Sequence, residues 1–225
     1  IKKSKKDKDI YLITADLGFK AFEIFQKEFP QRFINLGVAE NNMIGVGAGM
    51  ALQGKKVFVY SILPFLAFRC LEQIRNNIAN CNLDIKLIGA GGGFSYGVQG
   101  ISHNPTEDIS LINALPNIKI FTPSTKSETK LSIATLIKDK GPCYIRLGKS
   151  PDFDYTIIKR NTKIGVGQEV CKGKEVLILS TGNILSEIIE SKKLLNKYNI
   201  SPSIYSFSCI KPLDSNFIQK LSIKY

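Results

Sequence analysis

The chain has 225 residues, 44% of them apolar, and a formal net charge of +12 at pH 7. This apolar content supports a buried core and argues against a disordered chain, and no apolar run reaches the roughly 18 residues of a membrane span. The lysines are dispersed apart from a charged start that does not resemble a signal peptide, and no nucleic-acid-binding motif accompanies them. The five cysteines lack metal-type spacing. We therefore expect a cytoplasmic protein with reduced cysteines, no membrane segment and no nucleic-acid partner.

Short apolar runs alternate with helical patterns along the first two thirds of the chain. The predicted strands are residues 10–14, 33–36, 56–60, 84–90, 118–122 and 143–147. The predicted helices lie between them, at residues 19–29, 40–54, 64–79, 107–114 and 125–137. Strands that alternate with helices at this spacing predict an α/β fold, with a parallel six-stranded sheet and helices on both faces.

The alternation breaks after the sixth strand. We assign residues 1–155 to a first domain, 156–172 to a linker, and 173–225 to the start of a second, smaller α/β domain. The second part offers two strands, at 175–180 and 203–207, which are too few for an independent α/β domain. We therefore expect the natural chain to continue past its last residue.

One carboxylate, Glu40, stands in the otherwise apolar and amide-rich run 35–50, where the second strand leads into a helix. Ligands of α/β sheets bind at the carboxyl ends of strands, which makes Glu40 a candidate functional group. Glycines at positions 45, 47 and 49 each lower helix propensity by roughly 1 kcal/mol, which suggests a close approach to this backbone. Alternatively, Glu40 only stabilises the helix N-terminus through the helix dipole.

Several motifs follow one another in a specific order. They occupy residues 15–17, 35–43, 65–76, 97–105, 114–117 and 122–124, and the sixth strand adds an arginine at position 146. Together they resemble the transketolase family of thiamine-diphosphate enzymes. The resemblance covers the pyrimidine-binding domain of that family and the start of its C-terminal domain, which is nearly the whole chain.

The resemblance implies a cofactor site formed by Asp16, Glu40, Phe65 and Phe68. The carboxyl at the Glu40 position hydrogen-bonds the cofactor's aminopyrimidine and favours the tautomer that removes the thiazolium C2 proton, so Glu40 is expected to be catalytic. The two phenylalanines are expected to stack on that ring, with core packing as the alternative. Asp16 is expected near the cofactor or a dimer interface.

The resemblance also implies a substrate site. His103, the only histidine, matches the Gly-x-x-His-x-Pro pattern, in which the histidine contacts the sugar near the reacting carbonyl, so a catalytic role is expected. Arg146 matches a phosphate-binding arginine, for which a guanidinium is well suited. Lys20 aligns with a second phosphate contact, or is an exposed helix lysine. Gln99 replaces the usual acidic residue and Gly91 a further histidine, which predicts a differently shaped substrate pocket.

The family binds the cofactor diphosphate through Mg²⁺ with a Gly-Asp-Gly run, which this sequence lacks. We therefore expect no metal ligands here and place them on a partner. The resemblance then predicts the C-terminal subunit of a split transketolase that works with an N-terminal subunit carrying Gly-Asp-Gly. Self-association through the pyrimidine domain is also expected.

The predicted reaction transfers a two-carbon ketol unit between sugar phosphates. Two related activities remain alternatives, those of a deoxyxylulose-phosphate synthase and of the β subunit of a 2-oxoacid dehydrogenase. A non-catalytic scaffold subunit is an alternative of another class. The presence of both Glu40 and His103 argues against a scaffold.

Overall fold

The computed structural model describes residues 1–148, 154–155 and 163–225. The strands in chain order are β1 (Ile10–Thr14), β2 (Phe33–Asn35), β3 (Lys56–Ile62), β4 (Ile85–Ala90), β5 (Lys119–Phe121), β6 (Cys143–Leu147), β7 (Gln168–Cys171), β8 (Val176–Ser180), β9 (Pro202–Ser206) and β10 (Cys209–Lys211). The helices are α1 (Glu23–Glu28), α2 (Glu40–Leu52), α3 (Leu63–Ala67), α4 (Leu71–Gln73), α5 (Asp108–Asn113), α6 (Lys126–Leu136), α7 (Leu185–Lys197) and α8 (Ser215–Ser222). A π-helical segment, Ile74–Ala79, directly follows α4.

The chain divides into two compact units, the first of which comprises residues 1–118 and 136–146. Its strands lie side by side in the order β6, β4, β3, β1, β2. The pairs β1–β2, β1–β3 and β3–β4 are parallel. Fully buried residues such as Val57, Val59 and Leu87 fill these strands, as expected for strands covered on both faces. Because parallel strands end at the same edge, the segments that follow β1 to β4 converge there.

The second unit comprises residues 119–135 and 147–225. In it β9 pairs parallel to β8 and antiparallel to β7, which gives a three-stranded sheet in the order β7, β9, β8. β10 pairs antiparallel with β5. Ile204 of β9 packs with Val170 and Leu185 in one apolar cluster. Among the described residues, no helix is both long enough and apolar enough to cross a membrane.

The prediction of an α/β fold with a mostly parallel sheet and a second, smaller α/β unit is confirmed. Two strands, β7 and β10, are absent from the sequence-based prediction. β7 lies inside the range 156–172, which the sequence assigns to a linker. The strand is hard to predict because it has only four residues and lies between glycines. β10 has three residues and is defined by its pairing with β5. Residues 156–162 of the predicted linker lie outside the described residues, and the domain limits 1–155 and 173–225 remain predictions.

The predicted continuous helix 64–79 is wrong, because the chain forms α3, α4 and the π-helical segment instead. The break falls between Phe68 and Cys70. There the thiol of Cys70 donates to the carbonyl oxygen of Phe65 at 3.3 Å, so a side chain supplies a hydrogen bond at the interruption. α3 also lies close to β4, where a Cβ on Gly89 would stand 2.1 Å from Leu63 Cδ2. The glycine therefore lets α3, with Phe65, seat against the sheet.

The three glycines of α2 have different surroundings. A Cβ on Gly47 would meet Val59 of β3 at 3.3 Å, so this position allows close packing of helix on sheet. Gly45 and Gly49 have no atom within 4 Å of the corresponding point and lie exposed. The expectation of a close approach is therefore met within the chain at Gly47, while Gly45 and Gly49 form an open helix face.

Candidate active site

Glu40 is the first residue of α2, and a polar network holds the segment that delivers it. Asn35, at the end of β2, accepts through Oδ1 from the backbone N–H groups of Asp16 (2.9 Å) and Gly37 (3.1 Å). Its Nδ2 donates to Asp16 Oδ1 at 3.2 Å. Asp16 is exposed and has a φ of 54°, and Gly37 has a φ of 69°. These bonds link the ends of β1 and β2 and fix the approach to Glu40.

The carboxylate of Glu40 is buried and ion-paired. Its side chain is 2% exposed, and its Oε2 accepts from Nη1 of Arg69 at 2.6 Å, whereas the Arg69 side chain is 45% exposed. The same guanidinium lies over the ring of Phe65, with Cζ 4.6 Å from the centroid. A buried carboxylate, an aromatic face and a guanidinium open to solvent therefore meet at one point. Arg69 was not among the residues predicted from the sequence, although its i, i+4 spacing from Phe65 could have indicated it.

His103 packs against the same aromatic group. Its ring lies edge-on to Phe65 at a centroid distance of 5.2 Å and edge-on to Tyr96 at 5.8 Å. The hydroxyl of Ser102 lies 2.9 Å from His103 Nδ1. Gly91, with a φ of 91°, has no side chain to obstruct Tyr96, whose ring would lie 2.0 Å from an added Cβ. The glycine at position 91 therefore creates room for an aromatic wall beside His103.

Arg146, on β6, is held by an acidic residue that the sequence analysis did not single out. Its Nε donates to Asp108 at 2.9 Å (Oδ2) and 3.2 Å (Oδ1), and Nη2 donates to the carbonyl oxygen of Pro105 at 3.3 Å. Tyr144 also donates to Asp108 Oδ2, at 2.8 Å. Burial, and then the charge of Asp108, raise the pKa of the Tyr144 hydroxyl well above its usual value. Tyr144 therefore remains a donor, and Asp108 keeps two partners.

The guanidinium of Arg146 also lies against the glycine loop, since a Cβ on Gly92 would stand 2.7 Å from Nη1. An alanine at position 92 would therefore push the guanidinium out of place. Asp108 is a buried aspartate at the start of α5. Its sequence neighbours do not reveal this burial, so no local signal marks it.

Three predicted site residues lie apart from these contacts. Phe68 is half-buried at the end of α3. Gln99 is exposed in the turn Gly97–Gln99. Lys20 is exposed in the turn before α1, with a φ of 64°, and its backbone N–H donates to Glu23. Their assignments to cofactor and substrate remain predictions.

The structure thus brings Glu40, Phe65 and His103 together and places Arg146 on a neighbouring strand end of the same unit. Such a site offers a carboxyl group shielded from water, an aromatic face, an imidazole and a fixed guanidinium. The carboxyl group and the aromatic face can bind a planar group with N–H donors, and the guanidinium can bind an anion. Within the described ranges, no group of three or more histidine, cysteine, aspartate or glutamate side chains is arranged to hold a metal ion.

Two family models match the chain. The model described as "Transketolase, pyrimidine binding domain" matches residues 2–151, and the model described as "Transketolase, C-terminal domain" matches residues 165–225.

Individual relatives match over nearly the whole chain. A "Putative transketolase C-terminal section" of Methanocaldococcus jannaschii is 37% identical, over 98% of this chain and 71% of that protein. One of the subunits of an apulose-4-phosphate transketolase, from Phocaeicola vulgatus, is 30% identical, over 96% of this chain and 70% of that protein. A solved structure described as "Split gene transketolase, inactive beta4 tetramer" superposes with a TM-score of 0.88 at 29% identity, over 99% of this chain and 73% of that chain.

The buried state of the Glu40 neighbourhood can be tested through Cys70, which is fully buried. Burial, and then the charge of Glu40, raise the pKa of the Cys70 thiol to about 12. Because the thiolate is the reactive form, we expect Cys70 to resist iodoacetamide at pH 8 while the exposed Cys81 is alkylated, as measured by peptide mass spectrometry. Rapid labelling of Cys70 in the folded chain would show that the break between α3 and α4 is open to water.

Proposed function

Because this chain belongs to the transketolase family, we propose that it is the C-terminal subunit of a split, thiamine-diphosphate-dependent transketolase. The proposed reaction moves a two-carbon ketol unit between phosphorylated sugars. The observation that carries the proposal is the buried carboxylate of Glu40 beside the face of the Phe65 ring, with one guanidinium bound to both.

The residues present fit an aminopyrimidine. The carboxylate and the aromatic ring already hold one planar group with N–H donors, the guanidinium of Arg69. An aminopyrimidine ring has the same needs, an acidic partner at a ring nitrogen and a stacking surface. Thiamine diphosphate, when bound, supplies the carbanion chemistry of this family.

The chain's own residues have separate tasks in this proposal. Glu40 holds and exchanges a proton at the pyrimidine ring nitrogen, in a position where water is excluded. Phe65 orients the ring by stacking. His103, which lies edge-on to Phe65, is placed to hydrogen-bond the sugar near its carbonyl. Arg146 directs its terminal nitrogens towards the glycine loop, where a substrate phosphate can bind.

A partner subunit is supported by three observations. The relatives named above are a subunit, a C-terminal section and a split-gene protein. The open face of α2 at Gly45 and Gly49 carries a helix-propensity cost that a second backbone packed against it would justify. Large apolar side chains are also exposed on the segments that precede site residues, namely Val38 before Glu40, and Phe94, Val98 and Ile101 before His103. Exposed apolar groups of this kind mark protein–protein contacts. The proposed partner carries the Gly-Asp-Gly motif and the Mg²⁺ ligands, and this chain is a cytoplasmic component of the assembly.

The role of Glu40 can be tested by Glu40→Gln in the assembled enzyme. The amide keeps the shape but cannot exchange the proton, so hydrogen–deuterium exchange at C2 of the cofactor should slow by about 10²–10⁴-fold. The exchange is followed by NMR after acid quench. Glu190→Gln, an exposed change on α7, serves as the control and should leave the rate unchanged. Exchange in Glu40→Gln at the parental rate would refute the assignment.

The role of Arg146 can be tested by Arg146→Lys. Lysine keeps a positive charge near Asp108 but loses the planar fork that binds phosphate in two places. The Michaelis constant for phosphorylated ketoses should rise by about tenfold or more, the effect of one charge-assisted hydrogen bond. Unphosphorylated analogues should change little. Equal increases for both substrate classes would place the phosphate elsewhere, and assays with pyruvate would distinguish the deoxyxylulose-phosphate-synthase alternative.

The need for a partner can be tested by calorimetry on this chain alone. Stacking and one carboxyl contact amount to only a few kcal/mol, which corresponds to about millimolar binding of thiamine diphosphate even with Mg²⁺. The chain alone should therefore be inactive. We also expect it to self-associate through the apolar surface that otherwise contacts the partner. Adding a subunit with the Gly-Asp-Gly motif should restore about micromolar binding and activity together. Tight binding or turnover without a partner would contradict the split-subunit proposal.

A further inference from the structure

The guanidinium of Arg69 contacts both groups of the proposed pyrimidine site, the carboxylate of Glu40 and the ring of Phe65. Its Nη1 donates to Glu40 at 2.6 Å, and its Cζ lies 4.6 Å from the centre of the Phe65 ring. A guanidinium is flat, carries N–H donors along its edge and stacks on aromatic faces. An aminopyrimidine is also flat and stacks on aromatic faces, and its ring nitrogen presents an N–H donor to a carboxylate once it has taken up the proton that Glu40 exchanges. Both groups therefore compete for one carboxylate and one aromatic face.

We propose that Arg69 is a placeholder for the cofactor's aminopyrimidine, which occupies the subsite until the ring displaces it. This inference rests on the proposed function, in which Glu40 and Phe65 receive the ring. It makes Arg69 a determinant of cofactor affinity that acts before any chemistry takes place.

The first reason for a placeholder is the burial of Glu40. A carboxylate removed from water is costly unless an opposite charge or a set of donors compensates it. Among the described residues, the donor to the Glu40 carboxylate is Arg69. The pair thus gives the buried carboxylate a compensating partner within the fold.

The second reason is that Arg69 is free to leave. Its side chain is almost half exposed, and it lies at the break between α3 and α4 rather than inside a helix. Arg146 provides the contrast, since its side chain is mostly buried and is held by Asp108 and by the carbonyl oxygen of Pro105. Of these two arginines, Arg146 is held by two groups, whereas Arg69 gives up only its contacts with Glu40 and Phe65 when it rotates into solvent.

The proposal is tested with ligands that need neither the diphosphate nor a metal. Thiamine and 4-amino-5-hydroxymethyl-2-methylpyrimidine are titrated into the full chain, and binding is followed by ligand-observed NMR. Because Arg69 competes for the site, Arg69→Ala should bind both ligands about tenfold more tightly than the parent chain, the scale of one exposed ion pair plus a cation–π contact. Arg75→Ala is the matched control, because Arg75 is an exposed arginine of the same stretch, bonded to Asn76. It should bind like the parent.

A stability measurement separates the placeholder from a simple surface residue. Without ligand, Arg69→Ala should melt at a lower temperature than the parent, because Glu40 loses its partner. Saturating thiamine should raise the melting temperature of this variant by more than it raises that of the parent. Arg69→Gln keeps a donor for Glu40 and tests the same competition if the alanine variant does not fold. It should also bind the ligands more tightly than the parent.

The outcomes distinguish this inference from the proposed function. If Arg69→Ala and Arg69→Gln bind the ligands no more tightly than the parent, or bind none, while Glu40→Gln weakens binding, the placeholder is refuted and the pyrimidine site stands. If none of the three substitutions changes binding, the pyrimidine binds elsewhere and both ideas fall. Tighter binding in both Arg69 variants, with loss of binding in Glu40→Gln, supports both.

Discussion

The burial of a carboxylate at the start of α2 is the constraint on which the site depends. Glu40 is removed from water, so the fold has to supply a compensating group, and Arg69 supplies it. The network around Asn35 fixes the backbone that delivers Glu40. The glycine at position 89 lets α3 settle on β4, so that Phe65 and Arg69 reach the same point. A shift in either segment would leave the carboxylate without its partner.

The site contains a second buried carboxylate, and the two are used in opposite ways. Asp108 receives Tyr144 and the Nε of Arg146, both from β6, and these partners are themselves largely enclosed. Glu40 receives one guanidinium that is open to solvent. The first arrangement suits a fixed support for an anion-binding arginine. The second suits an acid whose partner is exchanged for a ligand, since only one exposed contact has to be given up.

Glycines shape the space between these two carboxylates. Gly91 and Gly92 follow β4, and a side chain on either would collide with Tyr96 or with Arg146. The loop can therefore bring an aromatic wall and a guanidinium close to the backbone. The open glycines of α2 face outwards instead, and their surface matches the expectation that another subunit completes the protein. The same residue type thus serves internal packing in one place and leaves an open helix face in the other.

The sequence by itself determined the α/β fold and the positions of the strands found by their apolar runs, and it singled out Glu40, Phe65, His103 and Arg146 as candidate site residues. These features are local, because a run of β-branched residues or a motif of fixed spacing is visible without knowledge of its neighbours. The family followed from the order of such motifs, and the comparisons confirm it.

Only the tertiary structure decided the partners of those residues. The pairing of Arg69 with Glu40 spans 29 positions and that of Arg146 with Asp108 spans 38, and no local pattern specifies which buried acid receives which guanidinium. The breaks in the helix after β3 and the short strands β7 and β10 were settled in the same way. The two strands depend on pairing with β9 and β5, and the seating of α3 depends on its close approach to Gly89. The free energy of such contacts exists only once the chain has folded.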